Sequence, residues 1–227
     1  LVGSEMCIRD SNNPLVYGPK WFDPNVGVDS KSDAYDFTDC KLSDVQSMVH
    51  SIIFLGEDLV GAEIGVAKGH STMTLLHNCP NIKTLHAVDA FEPYEDYLQE
   101  DAGTYDGVNW AYRLDEKQIE FNKIVCYNFI KFSGMEEKVK FHEMDSDKAA
   151  EEIEDGSLDF IFVDAYLTYE QTKKDLDVWY PKVREGGIFA GHDYRCDVVE
   201  QAVLGFRNKN NITKKMSVFD QTFMWYK

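Results

Sequence analysis

The sequence predicts an α/β domain on an open, doubly wound, mostly parallel sheet of seven strands that ends in an antiparallel hairpin. Three observations predict it. Apolar strand-like runs alternate with helical patterns from residue 42 onward. The run Leu158-Asp159-Phe160-Ile161-Phe162-Val163-Asp164 is apolar at nearly every position, as a central parallel strand covered on both faces must be. The chain then finishes on Met216-Ser217-Val218-Phe219 and Thr222 to Tyr226, two short runs joined by an Asp-Gln link, which read as a hairpin.

Taken in order, Leu1-Val2-Gly3-Ser4-Glu5-Met6-Cys7-Ile8-Arg9-Asp10 resembles a translated sequencing adapter and is set aside from fold reasoning as an artefact. Residues 11–41 form an irregular arm, rich in Pro, Gly, Asn, Asp and aromatics up to residue 35. The domain spans 42–227. Ser43-Asp44-Val45-Gln46 predicts a capping box, with Val45, Met48, Val49 and Ile52 on one helical face. A first strand, about Leu59–Ile64, precedes a helix that turns Met73, Leu75 and Leu76 inward. Leu85 to Asp89 is the second strand. Residues 92–114 are too long for a simple connection and read as an inserted loop or lid, whose Tyr94, Tyr97, Tyr105, Trp110 and Tyr112 either stack above the site or anchor the loop to the domain. The next helix places Phe121, Ile124, Val125, Asn128, Phe129 and Phe132 on one face and stops at Gly134. Val139 to Met144 alternates as the third strand, and Leu158 to Asp164 is the fourth. Tyr169, Thr172, Leu176, Trp179 and Tyr180 mark a helix. A Gly-Gly turn then opens a fifth strand, Gly186 to His192, and Val198 to Phe206 is helical.

A length of 227 residues suits one such domain with a sizeable core. The formal charge of −17 repels phosphate backbones, which argues against a nucleic-acid substrate. Five scattered cysteines without a Cys-x-x-Cys pair indicate reduced thiols in a cytoplasmic protein. No apolar run approaches membrane-spanning length.

The richest stretch for chemistry is Val60-Gly61-Ala62-Glu63-Ile64-Gly65-Val66-Ala67-Lys68-Gly69-His70-Ser71. An apolar strand meets an acid, two glycines let the backbone approach a ligand closely, and a helix N-terminus offers free N–H groups. It lacks the Gly-x-Gly-x-x-Gly of dinucleotide sites and the Gly-Lys-Ser/Thr of a P-loop. Glu-x-Gly-x-x-x-Gly-x-Ser instead resembles the first motif of class I S-adenosylmethionine (SAM)-dependent methyltransferases. Their Rossmann-like sheet with a closing hairpin is the plan derived above, and the resemblance covers roughly residues 42–227.

The resemblance implies that Glu63, Gly65, Gly69 and Ser71 hold the methionine end of SAM. Asp89, in Val88-Asp89-Ala90-Phe91, lies 24 residues after Gly65, where an acid meets ribose hydroxyls. Phe91 would lie on the adenine face, and Asp145-Ser146 matches the position that bonds the adenine amino group. Leu158 to Ala165, Tyr169, and Pro181 to Tyr194 resemble small-molecule O-methyltransferases of the catechol, caffeoyl-CoA and macrocin types. Many of these bind a divalent cation through an acid after strand four and a pair after strand five, which Asp164 and Asp193 match. Asp164 borders the cofactor as well.

Two departures leave Mg²⁺ open. Tyr194 replaces an Asn or a second acid, and Leu167 replaces a Lys or His that can act as base. His192 is then the leading general base, with Asp193 beside it. His70 and His77 read as packing or surface residues. The expected activity is methyl transfer from SAM to a hydroxyl of a small molecule, plausibly a sugar or glycosylated metabolite. A catalytically inactive SAM-binding regulatory protein and an NAD-dependent oxidoreductase are the alternatives, and a homodimer is left open.

Overall fold

The computed structural model describes residues 45–93 and 115–227, with the backbone alone of Thr104–Tyr105 and Val108–Asn109, which pair antiparallel in a separate ribbon. All belong to the unit running from Ser43 to Lys227. Residues 1–10, the 11–41 arm and the aromatic side chains of the 92–114 insertion lie outside the described residues.

Seven strands form the main sheet: β1 (Leu59–Ile64), β2 (Ile82–Val88), β3 (Val139–His142), β4 (Leu158–Val163), β5 (Val183–Gly191), β6 (Ser217–Phe219) and β7 (Thr222–Tyr226). Their spatial order is β3-β2-β1-β4-β5-β7-β6. The first five are mutually parallel, while β7 runs antiparallel to both β5 and β6. The expected closing hairpin is therefore present. Strand order reverses between β1 and β4, and in open α/β sheets the ligand crevice lies outside the carboxyl ends at that point.

Helices cover both faces because successive strand residues point to opposite sides. Phe160 and Phe162 of β4 join the core that packs under α1 (Gln46–Ile53), α2 (His70–Asn78) and α3 (Glu116–Ser133). Ile161 and Val163 join the core under α4 (Ser146–Glu151), α5 (Tyr169–Trp179) and α6 (Asp197–Lys209). The polar break in β4 has a structural use. Asp159 accepts the Val60 N–H at 2.7 Å and the Arg184 Nε–H at 2.7 Å, tying the amino ends of β1, β4 and β5 together.

Four sequence expectations need correction. The α1 face is as read, with Val45, Met48, Val49 and Ile52 buried, but the N-cap position is Val45 and no side chain caps it. The period of α3 is right and its phase is wrong. The buried stripe is Ile119, Asn122, Cys126 and Ile130, while Phe121, Ile124 and Phe132 are exposed. A stripe containing Asn and Cys carries a weaker apolar signal than the phenylalanines beside it. Gly186-Gly187 is a bulge within β5 and not a turn before it, since the register jumps from Leu158↔Val183 to Phe160↔Ile188. Finally, α4 fills a connection that the sequence pattern leaves unmarked. Caps elsewhere follow local chemistry: Asp115 and Thr168 accept N–H groups at the starts of α3 and α5, and Gly134 ends α3 in the left-handed region.

Candidate active site

At the carboxyl end of β1 the chain turns at Gly65, whose φ is +86°. A side chain here would place its Cβ 2.0 Å from the Asp164 carbonyl oxygen, so only glycine lets this turn nest against the end of β4. Asp89, after β2, holds the turn. Its Oδ2 accepts the N–H groups of Val66 (3.0 Å) and Ala67 (2.8 Å), and its Oδ1 accepts that of Phe91 (2.8 Å). Ala67 and Phe91 both have positive φ, and Gly69 opens α2 in the left-handed region.

Glu63 lies at the floor of this turn, 1% exposed, and accepts the Thr72 hydroxyl at 2.5 Å. Burial pushes its carboxyl up to about 8, the Thr72 bond opposes this, and the negative charges of Asp164 and Asp89 add to it. Thr72 was missed by the sequence reading, which singled out its neighbour Ser71. Ser71 sits half-buried in the first turn of α2. Helical geometry alone decides which of two adjacent hydroxyls faces the acid.

Further along, Phe91 faces a wall supplied by α3. The Lys123 ammonium stands 5.8 Å from its ring centroid and the Tyr127 ring 6.5 Å away. Glu143 of the β3 end receives both the Lys123 ammonium, at 2.5 Å, and the Tyr127 hydroxyl. A Lys and a Tyr four residues apart on a helix were the available signal. Asp145 is exposed and pairs with Lys148 at 2.6 Å. Ser146 turns the other way: its hydroxyl donates to Asp175 Oδ1 (2.5 Å) and accepts from Trp179 Nε1–H (2.7 Å). The two residues read as one adenine-facing pair thus point to different places.

Above β4 and β5, Asp164, His192 and Asp193 come together. One ligand atom from each lies within 4.8 Å of the other two. His192 Nδ1 stands 3.0 Å from Asp193 Oδ1 and 3.7 Å from Asp164 Oδ1. Backbone bonds aim these groups: Asp164 N–H donates to Ile64 O, and His192 N–H to Val163 O. Asp193 has φ +58°, a conformation that costs a non-glycine residue roughly 1–3 kcal/mol and that Asp tolerates better than most. Leu167 packs against the apolar core under α5 and α6, and Tyr194 packs on Phe223. A cavity of about 20 Å³ beneath the trio is lined by Asp164, Tyr166, Thr172, Asp175, His192 and Asp193. A larger hollow, about 370 Å³, opens at the other end of the sheet beside Glu57, Asn81, Lys83 and Lys138, and none of Glu63, Asp89, Asp164 and Asp193 lines it.

A family model described as a methyltransferase domain matches residues 62–194, more than half of the chain. A search of curated proteins gives no match. Solved structures share the fold. The O-methyltransferase NovP is 21% identical with a TM-score of 0.60, covering 82% of this chain and 78% of that one. The calicheamicin methyltransferase CalS11 is 15% identical with a TM-score of 0.56, covering 82% and 80%. Precorrin 8W decarboxylase from Methanobacterium thermoautotrophicum is 12% identical with a TM-score of 0.53, covering 82% and 90%. This chain belongs to the methyltransferase-domain family, and its sheet order and strand-end loop are those of a class I SAM-dependent enzyme. The dehydrogenase alternative falls away. Among the described residues no helix is long and apolar enough to cross a membrane.

Proposed function

We propose that this methyltransferase moves the SAM methyl group to a hydroxyl oxygen of a small molecule, a sugar or glycosylated metabolite. The observation that carries this reading is the convergence of Asp164, His192 and Asp193 beside the glycine turn, at the sheet's switch point. NovP and CalS11, which share the fold, are an O-methyltransferase and a calicheamicin methyltransferase. The decarboxylase with the same fold is the reason the assignment rests on the site.

The residues present fit SAM. Gly65 leaves a cradle that a Cβ would fill, and Asp89 and Glu63 set acidic groups along it. In this reading Glu63, Gly65, Gly69 and Ser71 take the methionine end, Asp89 the ribose, and Phe91 with Asp145 the adenine. Bound SAM supplies an electrophilic methyl group on a sulfonium. Asp89 has three backbone N–H bonds of its own, so it would serve the ribose while already fixing the loop. Ser146 instead anchors the segment after β3 through its bond to Asp175.

The acceptor hydroxyl must lose a proton, and His192 is placed to take it. Nδ1–H donating to Asp193 Oδ1 leaves Nε2 with its lone pair. An imidazole can take up and release a proton through this nitrogen, which suits a general base. A second reading takes the same two carboxylates and imidazole as ligands that would hold a divalent cation, which would lower the hydroxyl pKa. The experiment is calorimetric titration of SAM followed by turnover against a panel of sugar and phenolic hydroxyls, with and without chelator. Tight SAM binding with methylation of an oxygen supports the reading, and sensitivity to chelator selects the cation version. NAD binding without SAM binding would reject it.

A further inference from the structure

Among the described residues Asp175 is the one strongly buried acid that the proposed reaction does not use. It sits on α5, 1% exposed, in a helix face otherwise made of Thr172, Leu176 and Trp179. Its two oxygens differ. Oδ1 accepts the Ser146 hydroxyl at 2.5 Å and the Gln171 amide at 3.1 Å, and Trp179 Nε1–H closes the group by donating to Ser146. Oδ2 is equally buried and accepts no hydrogen bond from any described residue.

Anchoring Ser146 and Trp179 requires one acceptor atom, which an Asn would supply without placing a second acidic oxygen in the interior. Buried carboxylate oxygens are costly unless something donates to them. Asp175 also lines the 20 Å³ cavity whose other walls include Asp164, His192 and Asp193. A space of about 10–15 Å³ measured for a water-sized probe holds one water, so this one accommodates a single molecule, between the polar groups of Asp164, Asp175, His192 and Asp193 and the apolar side chains of Leu167, Leu176 and Phe223. Burial raises the Asp175 carboxyl to about 6, while Ser146 and Gln171 pull it back, so the group remains largely an acceptor at neutral pH.

We infer that Asp175 is a positioning residue: its second oxygen holds one water in this cavity, and that water orients the His192–Asp193 pair. The inference rests on the reading of Asp164, His192 and Asp193 as the reaction centre. It adds a mechanical link, because the same carboxylate is bonded through Ser146 to the segment that follows β3. The loop after β3 and the acids after β4 and β5 are then braced on one buried group.

The test uses the full chain labelled with ¹⁵N-histidine and reads the long-range imidazole spectrum at neutral pH, with His192 assigned by its loss in His192→Gln. Asp175→Asn keeps shape and one acceptor but replaces one carboxylate oxygen by an N–H donor. The expected result is a shift of both His192 ring nitrogens, with the other histidines unmoved. Ser146→Ala removes the opposite bond and serves as the structural control: it lowers the melting temperature and leaves the His192 signals in place. Unmoved His192 signals in Asp175→Asn, or equal shifts in both variants, overturn the inference. If Asp175→Asn does not fold, a high-resolution crystal structure of the wild type decides. One water within hydrogen-bond distance of Asp175 Oδ2 and of His192 or Asp193 supports the assignment, and an Oδ2 bonded only to protein overturns it. Neither readout involves SAM or an acceptor, so a failure here is separate from a failure of the methyl-transfer reading.

Discussion

The acids above β1 and β2 and those above β4 and β5 stand at the same end of one sheet but are held differently. Asp89 spends its carboxylate on three backbone N–H groups, and Glu63 is sealed beneath a threonine hydroxyl. Asp164 and Asp193 instead face an imidazole, partly open to the cavity, one of them on a left-handed backbone. The first arrangement fixes a loop before any ligand arrives, and the second keeps groups that can exchange a proton or a metal. In the proposed reading the first is a preorganised binding half and the second a reactive half, which is what group transfer between two bound molecules requires.

That contrast predicts separable phenotypes. The largest effect should come from the reactive half: Asp193→Ala should abolish turnover and His192→Ala should lower it by about 10²–10⁴-fold, both with unchanged SAM affinity in calorimetry. Full activity in both variants would erase the distinction between the halves. Gly65→Ala should act in the opposite sense. Its Cβ would meet the Asp164 carbonyl, so the loss should exceed the roughly 1–2 kcal/mol of a left-handed non-glycine residue, in both melting temperature and SAM binding.

A smaller loss is expected for Asp89→Ala, about 1–3 kcal/mol in SAM affinity, from the hydrogen bonds of a charged group. Because Asp89 also holds the turn, amide exchange at Val66 and Ala67 should speed up in the ligand-free variant. Unchanged exchange there would show that the turn holds itself.

Glu63 sharpens the comparison through pH. Its folded value, about 8, lies above the ordinary 4.5, so the folded state binds the extra proton between them. Its contribution to stability is full below 4.5 and is lost as pH rises through about 8. Melting temperature followed over that window should decline less in Glu63→Gln than in wild type. Cationic SAM docking beside Glu63 should also release a proton near neutral pH, visible as a buffer-dependent heat of binding.

The smallest effect lies outside both halves, at His86, whose Nδ1 is 2.8 Å from His142 Nε2. Burial, His142 and Lys140 lower His86 to about 4 from 6.5, so it contributes stability above 6.5 that is lost as pH falls toward 4. His86→Leu should flatten that acid limb of the melting curve, and an unchanged limb would assign it to other groups.

By itself the sequence determined the strand–helix alternation, the closing hairpin, the glycine turn and the row of polar residues at the strand ends. These are local: periodicity, turn chemistry and residue type at an element's end are written in neighbouring positions. The sheet order and the meeting of Asp164 with His192 and Asp193 followed once those elements were laid side by side. Tertiary structure alone decided the rest, because it depends on rotation about an axis or on a partner far along the chain. The phase of α3 was set by which stripe fits the sheet, so Cys126 went inside and Phe121 outside. Thr72, one residue beyond Ser71, is the hydroxyl that reaches Glu63 for the same reason. Ser146 and Asp145 parted because α5 offered a buried carboxylate 29 residues away. Asp89 found its first partners in the backbone of a turn 22 and 23 residues earlier, whose N–H groups every sequence carries and no pattern marks.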